Sequence, residues 1–399
     1  MAPRKEHEAP QLEGDLAMGR LSLENSSDPE DDDDKWGCVL PLFCDSKEEL
    51  SAADEGEEAE RRRRRQEAEE KAREADEEKR RAEETKRLEE MAAVGRRKKH
   101  TEVYNSIHKY NPKTKCVELT RFAFKDLSKF NLDEPSPVLA MRYTDTQTSG
   151  CANLKSINVL SVKIVSSDKG FPLDVYGNII LRDSLDYKCI YLFSRPSRMD
   201  SELIKSEDQS LILTGPSRGL FLVDYIYIEV DLMMRDRGKD KQLSIGLLDI
   251  DGRLAPRFPT TEVQCCTLES SLSTVEVRYA VVEKATEATV EFQVLKGDFK
   301  GKITAHTTKI EDSTHDRMLL HDSRACGAVT SSDGTRVIQL LRRVVAVCVD
   351  EMLVITVIPE GAGTRVEQFT PLLGNSHKWV FDWGAVKLGV KVTWSAICY

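Results

Sequence analysis

LTGPSRGLFLVDYIYIEVDL, residues 213–232, carries two opposed signals. Its opening, Gly215-Pro216-Ser217-Arg218-Gly219, looks like a loop built to grip a phosphate. Such a loop works by delivering the chain into a helix N-terminus, whose free amides face the anion. Here it delivers the chain into alternation. Ile226, Ile228, Val230 and Leu232 take one side, and Tyr227, Glu229 and Asp231 the other. A period of two is the mark of a half-buried strand. Pro216 also removes one amide donor and suits the second position of a tight turn. The stretch therefore reads as a turn entering a β-strand. Arg218 is left to pair with a nearby carboxylate or to contact a partner.

The same period recurs downstream. Val386, Leu388, Val390, Val392, Trp394 and Ala396 oppose Lys387, Lys391, Thr393 and Ser395. Val275, Val277, Tyr279 and Val281 oppose Glu276 and Arg278, and Val290, Phe292 and Val294 oppose Glu291 and Gln293. Further strands are expected at 157–165, 175–182, 188–193, 210–213, 223–233, 242–249, 301–309, 336–341, 343–349 and 352–358. RVVAVCV at 343–349 is apolar on both faces, which predicts a central strand. Many short strands with turn punctuation and no long helix predict an all-β, antiparallel sandwich or barrel over 156–397. Its halves, 156–255 and 270–397, form one sandwich or two, and the first has C2-like features. No internal repeat chooses between these.

The N-terminal part has another character. Residues 1–54 are acidic and irregular, with DPEDDDDK at 28–35, and read as a disordered tail. The apolar island WGCVLPLF at 36–43 is either a chance cluster or a docking peptide anchored by Trp36 and Phe43. Residues 55–99 read as a charged helix. Glu or Asp stands four before Arg or Lys at Glu57–Arg61, Glu60–Arg64, Glu67–Lys71, Glu69–Arg73, Asp76–Arg80 and Glu83–Arg87, the orientation that supports a helix. A coiled coil needs large apolar a and d residues. Ala68, Ala72, Ala75 and Ala82 are small and Lys79 interrupts them, so an isolated helix is favoured. Residues 100–155 form a connector beaded with Tyr104, Tyr110, Phe122, Phe124, Phe130 and Tyr143. Pro112, Pro135 and Pro137 exclude a long helix there, and the beads predict packing onto the β domain.

The 399 residues hold 58 Lys and Arg against 68 Asp and Glu, a net charge of −10. That balance argues against general nucleic-acid binding, which needs clustered cations. The basic run GRRKKH at 95–100 is either a nuclear-import or nucleic-acid patch or, the commoner case, a solvated helix end. MAPRKEHEAP has no apolar h-region, which predicts a cytoplasmic or nuclear rather than secreted protein. The longest apolar stretch is broken by Asp350 and Glu351, so no membrane span is expected. The 10 cysteines include no C-x-x-C pair and read as reduced thiols rather than zinc ligands.

Catalytic motifs fail on inspection. GDFKGKI at 297–303 has one residue too few between its glycines for a Walker loop, and Ile303 stands where a hydroxyl is required. GAGTR at 361–365 is a glycine turn. LDIDGR at 248–253 has too few carboxylates for a calcium loop. His321-Asp322 with Cys326, and His315-Asp316, lie in a turn region and are expected to face solvent. Asp174, Asp183, Asp186, Asp224 and Asp231 sit at strand ends, and their convergence would make a calcium- or lipid-binding C2-like module.

YNPKT at 110–114, MRYTD at 141–145, PLDVYGNIILRDSLD at 172–186, LFSRPSR at 192–198, SLILTGPSRG at 210–219 and IQLLRRVVAVCV at 338–349 together resemble an uncharacterised plant family, abundant in grasses, known as a domain of unknown function. The resemblance spans about 101–397. It implies a domain that stands alone or is fused to other modules, some resembling ribosome-inactivating N-glycosidases, and it implies no catalytic residues for the domain itself. Glycosidase chemistry of that kind would need a helical Glu-Ala-x-x-Arg unit. Glu287-Ala288-Thr289-Val290-Glu291 lacks the arginine and lies in a predicted strand. The expectation is a non-catalytic interaction or regulatory module, related to defence or stress by family analogy. It has an unidentified protein partner and no catalytic, cofactor or metal residues, and it presents loops 215–219 and 359–364.

Overall fold

The charged N-terminal third forms one helix, α1 (Glu49–Ser106), on which only Glu60–Arg64 of the six expected pairs closes among the described residues, while neighbouring pairs form instead. The structure is a computed structural model and describes residues 49–142, 144, 154–236, 238–253, 262–310, 316–325, 330–332 and 335–397. Trp36 and Phe43 lie outside the described residues, as does the acidic tail up to residue 48. On α1, Arg64 reaches Glu60 at 2.7 Å, Arg62 reaches Glu58 at 3.2 Å and Arg81 reaches Glu77 at 2.7 Å. All are exposed, so each adds at most a few tenths of a kcal/mol, ~0.3–0.5. Leu88, Met91 and Val94 are exposed, so the helix has no apolar seam there. It runs past the basic run at 95–100 because its last turn has something to bury: Val103 and Ile107 pack with Phe122, Leu127 and Leu132.

The connector then folds back as a hairpin, β1 (His108–Asn111) and β2 (Cys116–Leu119). Asn111 sets its turn by accepting from the Lys113 amide at 3.1 Å, and donates to Glu269 O at 2.8 Å. Downstream, Phe122 is fully buried among Phe124, Phe130, Tyr187 and Tyr227, with ring centroids 5.0–5.8 Å apart.

Two β-sandwiches follow. The first contains β3 (Ser156–Ser167), β4 (Leu173–Arg182), β5 (Ile190–Arg195), β6 (Glu202–Ile204), β7 (Tyr225–Asp236), β8 (Lys239–Asp251), β9 (Val263–Glu269) and β10 (Ser273–Val282). One sheet has the order β5-β4-β7-β8 with β6 also on β4, and the other β3-β10-β9. Their inward faces meet in one core built from residues such as Ile164, Val175, Phe193, Ile228, Val230 and Val277. The second contains β11 (Ala285–Lys296), β12 (Gly301–Thr307), β13 (Met318–Asp322), β14 (Thr330–Ser332), β15 (Thr335–Val337), β16 (Val344–Cys348), β17 (Leu353–Pro359), β18 (Arg365–Phe369), β19 (Ser376–Asp382) and β20 (Lys387–Ala396). Its sheets run β14-β15-β11-β20-β19, with β16 on β11, and β13-β12-β17-β18. They enclose a separate core around Phe292, Ile303, Ile355, Phe381 and Trp394. All strand pairs are antiparallel.

Three sequence expectations need correction. RVVAVCV is not a central strand: β16 pairs only with β11. It is buried because the first sandwich closes on it. The Asn158 side chain imitates a strand partner, accepting from Ala346 N at 2.9 Å and donating to Ala346 O at 2.7 Å. Residues 210–213 form no strand, only an isolated bridge from Ser210 to Lys163. The polar side of β7 is solvated only in part: Tyr227 and Glu229 are buried beneath the connector, while Asp231 is exposed.

Candidate interaction site

The turn at 215–219 is internal. A Cβ on Gly215 would collide with the Tyr191 carbonyl, and one on Gly219 would press on Ile397 Cδ1 and Glu287 Oε2. Both glycines serve close packing. Arg218 is 2% exposed. Its Nη1 and Nη2 donate to Asp183 Oδ2 and Oδ1 at 2.5 and 2.9 Å, a two-pronged pair. The same Asp183 accepts from the Phe221 amide at 2.8 Å. Glu287 takes the Gly219 and Met141 amides on its two oxygens, both at 2.6 Å. Burial pushes the Glu287 carboxyl above its ordinary range, and these amides and Arg218 oppose that shift. This polar joint binds the turn to β4 and β11, and so ties the first sandwich to the second.

The strand-end aspartates do not converge as a group; Asp183 and Asp186 come together, but around the Arg218 guanidinium, at 2.5 and 3.8 Å. Asp174 pairs with Arg235 at 3.3 Å and Asp186 accepts from Ser136 Oγ at 2.7 Å. Asp183 follows nine residues after Asp174 along β4, roughly 30 Å at strand rise. Asp251 of LDIDGR is held by Arg253 at 2.8 Å. Among the described residues, no group of three or more His, Cys, Asp or Glu is placed to hold a metal ion. The C2-like calcium reading loses the cluster it required.

His321 is not turned to solvent; it is 5% exposed. Its Nδ1 donates to Gln339 O at 2.9 Å, and Ser323 Oγ lies 3.1 Å from Nε2. Cys326 and His315 fall outside the described residues. Burial lowers the His321 pKa below 6.5, partly offset by the bond to Gln339. A histidine held neutral in the fold contributes stability above its unfolded pKa, and that contribution is lost as pH falls through the lower folded value. The advantage of wild type over His321→Gln in urea midpoint is therefore expected to shrink between about pH 7.5 and about pH 5. A gap that stays constant or widens on acidification would contradict this burial argument.

One group of exposed apolar residues lies on β18, β19 and the chain joining them. Each of these strands has one neighbour, β17 and β20 respectively, so both are sheet edges. Val366, Leu372, Leu373, Trp379 and Val380 are exposed, Trp379 at 48%. Phe369 and Phe381 turn inward and anchor the two strands in the core. Loop 361–364 is also exposed, and Trp383 fixes it by donating from Nε1 to Gly363 O at 2.7 Å. Sequence reading included loop 359–364 but missed β19. SHKWVFD opens on three polar residues, and only the Trp379–Phe381 spacing marks it as strand.

The family model described as DUF6598, domain of unknown function, matches residues 156–392. That span covers both sandwiches and leaves out α1 and the connector. No curated protein matches. Among solved structures, the C2A and C2B domains of extended synaptotagmin 2 give a TM-score of 0.21 at 10% identity, over 67% of this chain and 98% of that one. Their calcium-bound form gives 0.21 at 9%, over 61% and 97%. Human GIVD cytosolic phospholipase A2 in complex with an inhibitor and terbium chloride gives 0.20 at 8%, over 62% and 33%. Likenesses this slight carry no argument about function. Among the described residues, no helix is long and apolar enough to cross a membrane.

Proposed function

Because the chain belongs to the DUF6598 family, whose function is unknown, we propose its role from geometry: it is a non-catalytic interaction module that receives an extended segment of a partner protein along one of the two sheet edges, β18 or β19. The observation that carries this reading is Trp379 and Val380, both exposed, one on each face of an edge strand whose outer side has no strand partner among the described residues. Edge strands are ordinarily guarded by charge, proline or a covering loop. Here Lys378 guards one position and two large apolar residues follow it. An added strand would complete the backbone hydrogen bonds, while Trp379 supplies the kind of anchor that dominates binding energy.

Panning a library of random peptides against the full chain tests the reading. Selected peptides should be extended and rich in β-branched or aromatic residues. Trp379→Ala should weaken them about thirtyfold, the effect of a hot-spot residue. The same change should leave stability within about 0.5 kcal/mol of wild type, as for an exposed site. Peptides that bind the variant as tightly as wild type would remove Trp379 from the site and the reading with it.

A further inference from the structure

A cleft of about 390 Å³ separates the two sandwiches, on side chains that the edge does not use. On β12, Ile303 and Ala305 point into the second core, which turns Lys302 and Thr304 outward into the cleft. Across it stand Ser161 on β3 and the apolar Leu211 and Leu213. Arg342 lines the same space and also a neighbouring recess of about 400 Å³ beside Pro216 and Ser217 of the opening motif.

Three features of this cleft are unexplained by the fold. Arg342 is 4% exposed, and its hydrogen bond is one donation from Nη1 to Val159 O at 2.7 Å. Among the described residues no carboxylate pairs with it, whereas buried cations are ordinarily paired. Ser161 Oγ and Thr304 Oγ1 have no hydrogen-bond partner among the described residues, which leaves both hydroxyls able to bond to a bound group. Lys302, paired with Asp322 at 3.2 Å, and Arg317 add positive potential, and no described lining residue is acidic. Ile212, Leu319 and Ile358 make the remaining wall apolar, backed by Leu211 and Leu213 of the first core.

We propose that this cleft binds an organic anion, a carboxylate or phosphate head on a short apolar body. The head takes the free donors of Arg342 and the hydroxyls of Ser161 and Thr304, and the body lies on Ile212, Leu319 and Ile358. A guanidinium and hydroxyls bind an oxyanion by charge-assisted hydrogen bonds, and the volume is that of a small-molecule site.

Titration calorimetry on the full chain tests it with octanoate, octyl phosphate, octanol and inorganic phosphate as probes. Octanoate or octyl phosphate is expected to bind, and the stronger of the two identifies the head. Octanol and inorganic phosphate, each lacking half of the recognised chemistry, should bind about tenfold more weakly or not at all. Arg342→Met fills the space without the charge and should fold, since apolar replacement of a buried charge is commonly tolerated. It should lose about tenfold or more of the affinity, and Thr304→Val a smaller part. No binding of either amphiphilic anion to wild type would overturn the proposal. So would equal binding to Arg342→Met, or octanol binding as tightly as octanoate, which means an apolar groove only. Inorganic phosphate matching octyl phosphate would overturn it as an adventitious ion only.

Discussion

Glu229→Ala is expected to cost about 3–5 kcal/mol of folding stability, the usual consequence of leaving buried charge uncompensated. The carboxylate is 4% exposed and holds four donors. Oε1 accepts from Arg182 Nε at 2.7 Å and from the Phe122 amide at 2.8 Å. Oε2 accepts from Arg182 Nη2 and Arg121 Nε, both at 3.1 Å. The two arginines also share Leu132 O, at 2.5 Å from Arg182 and 2.9 Å from Arg121. Glu229 is thus the point at which the connector is bonded to β7. Its loss strands the buried Arg182 guanidinium and the Phe122 amide together, while Arg121 keeps Asp133 at 2.9 Å. Urea unfolding gives the energy, and hydrogen exchange at Phe122 gives the location, where protection should fall well before the strands open. Glu229→Gln keeps the shape and should cost less. A loss below about 1 kcal/mol would place the connector's attachment in its aromatic cluster instead.

Arg218→Ala is expected to lose a similar amount, about 3–5 kcal/mol, because Asp183 is then buried without its cation. Asp183 is fully buried and holds the Phe221 amide as well. Pairing Arg218→Ala with Asp183→Ala should cost less than the sum of the single changes, as residues in direct contact are coupled. This experiment separates the two roles that the sequence leaves to Arg218. A partner-contacting arginine would weaken binding and spare stability. A joint between turn and β4 does the reverse.

Particular strands explain how far the sequence could be read. In β20 the alternation of Leu388, Val390, Val392 and Trp394 with polar residues matches the observed burial, because one face meets a core and the other does not. In β7 the same pattern misleads. Alternation shows that two faces differ and says nothing of what covers the polar one; here Arg121, Arg182 and the connector cover it. The aromatic beads of the connector were the signal for that cover. The number of cores was hidden for a related reason. Periodicity is local, whereas the division between sandwiches falls in the short link from β10 to β11 and depends on which sheets pair. Arg342 and Arg343 are alike in sequence, and only tertiary packing separates them into a buried and an exposed side chain. The candidate edge was half visible: the loop before β18 was legible from its glycines, while β19 was not, since an edge strand buries few residues and so imposes little pattern.

Hydrogen exchange on the full chain, free and saturated with a selected peptide, tests the docking edge most directly. The account predicts slowed exchange at the amides of Arg365–Phe369 or Ser376–Asp382, with the 210–217 and 339–343 segments unchanged. Binding that leaves both edge strands unprotected would contradict it.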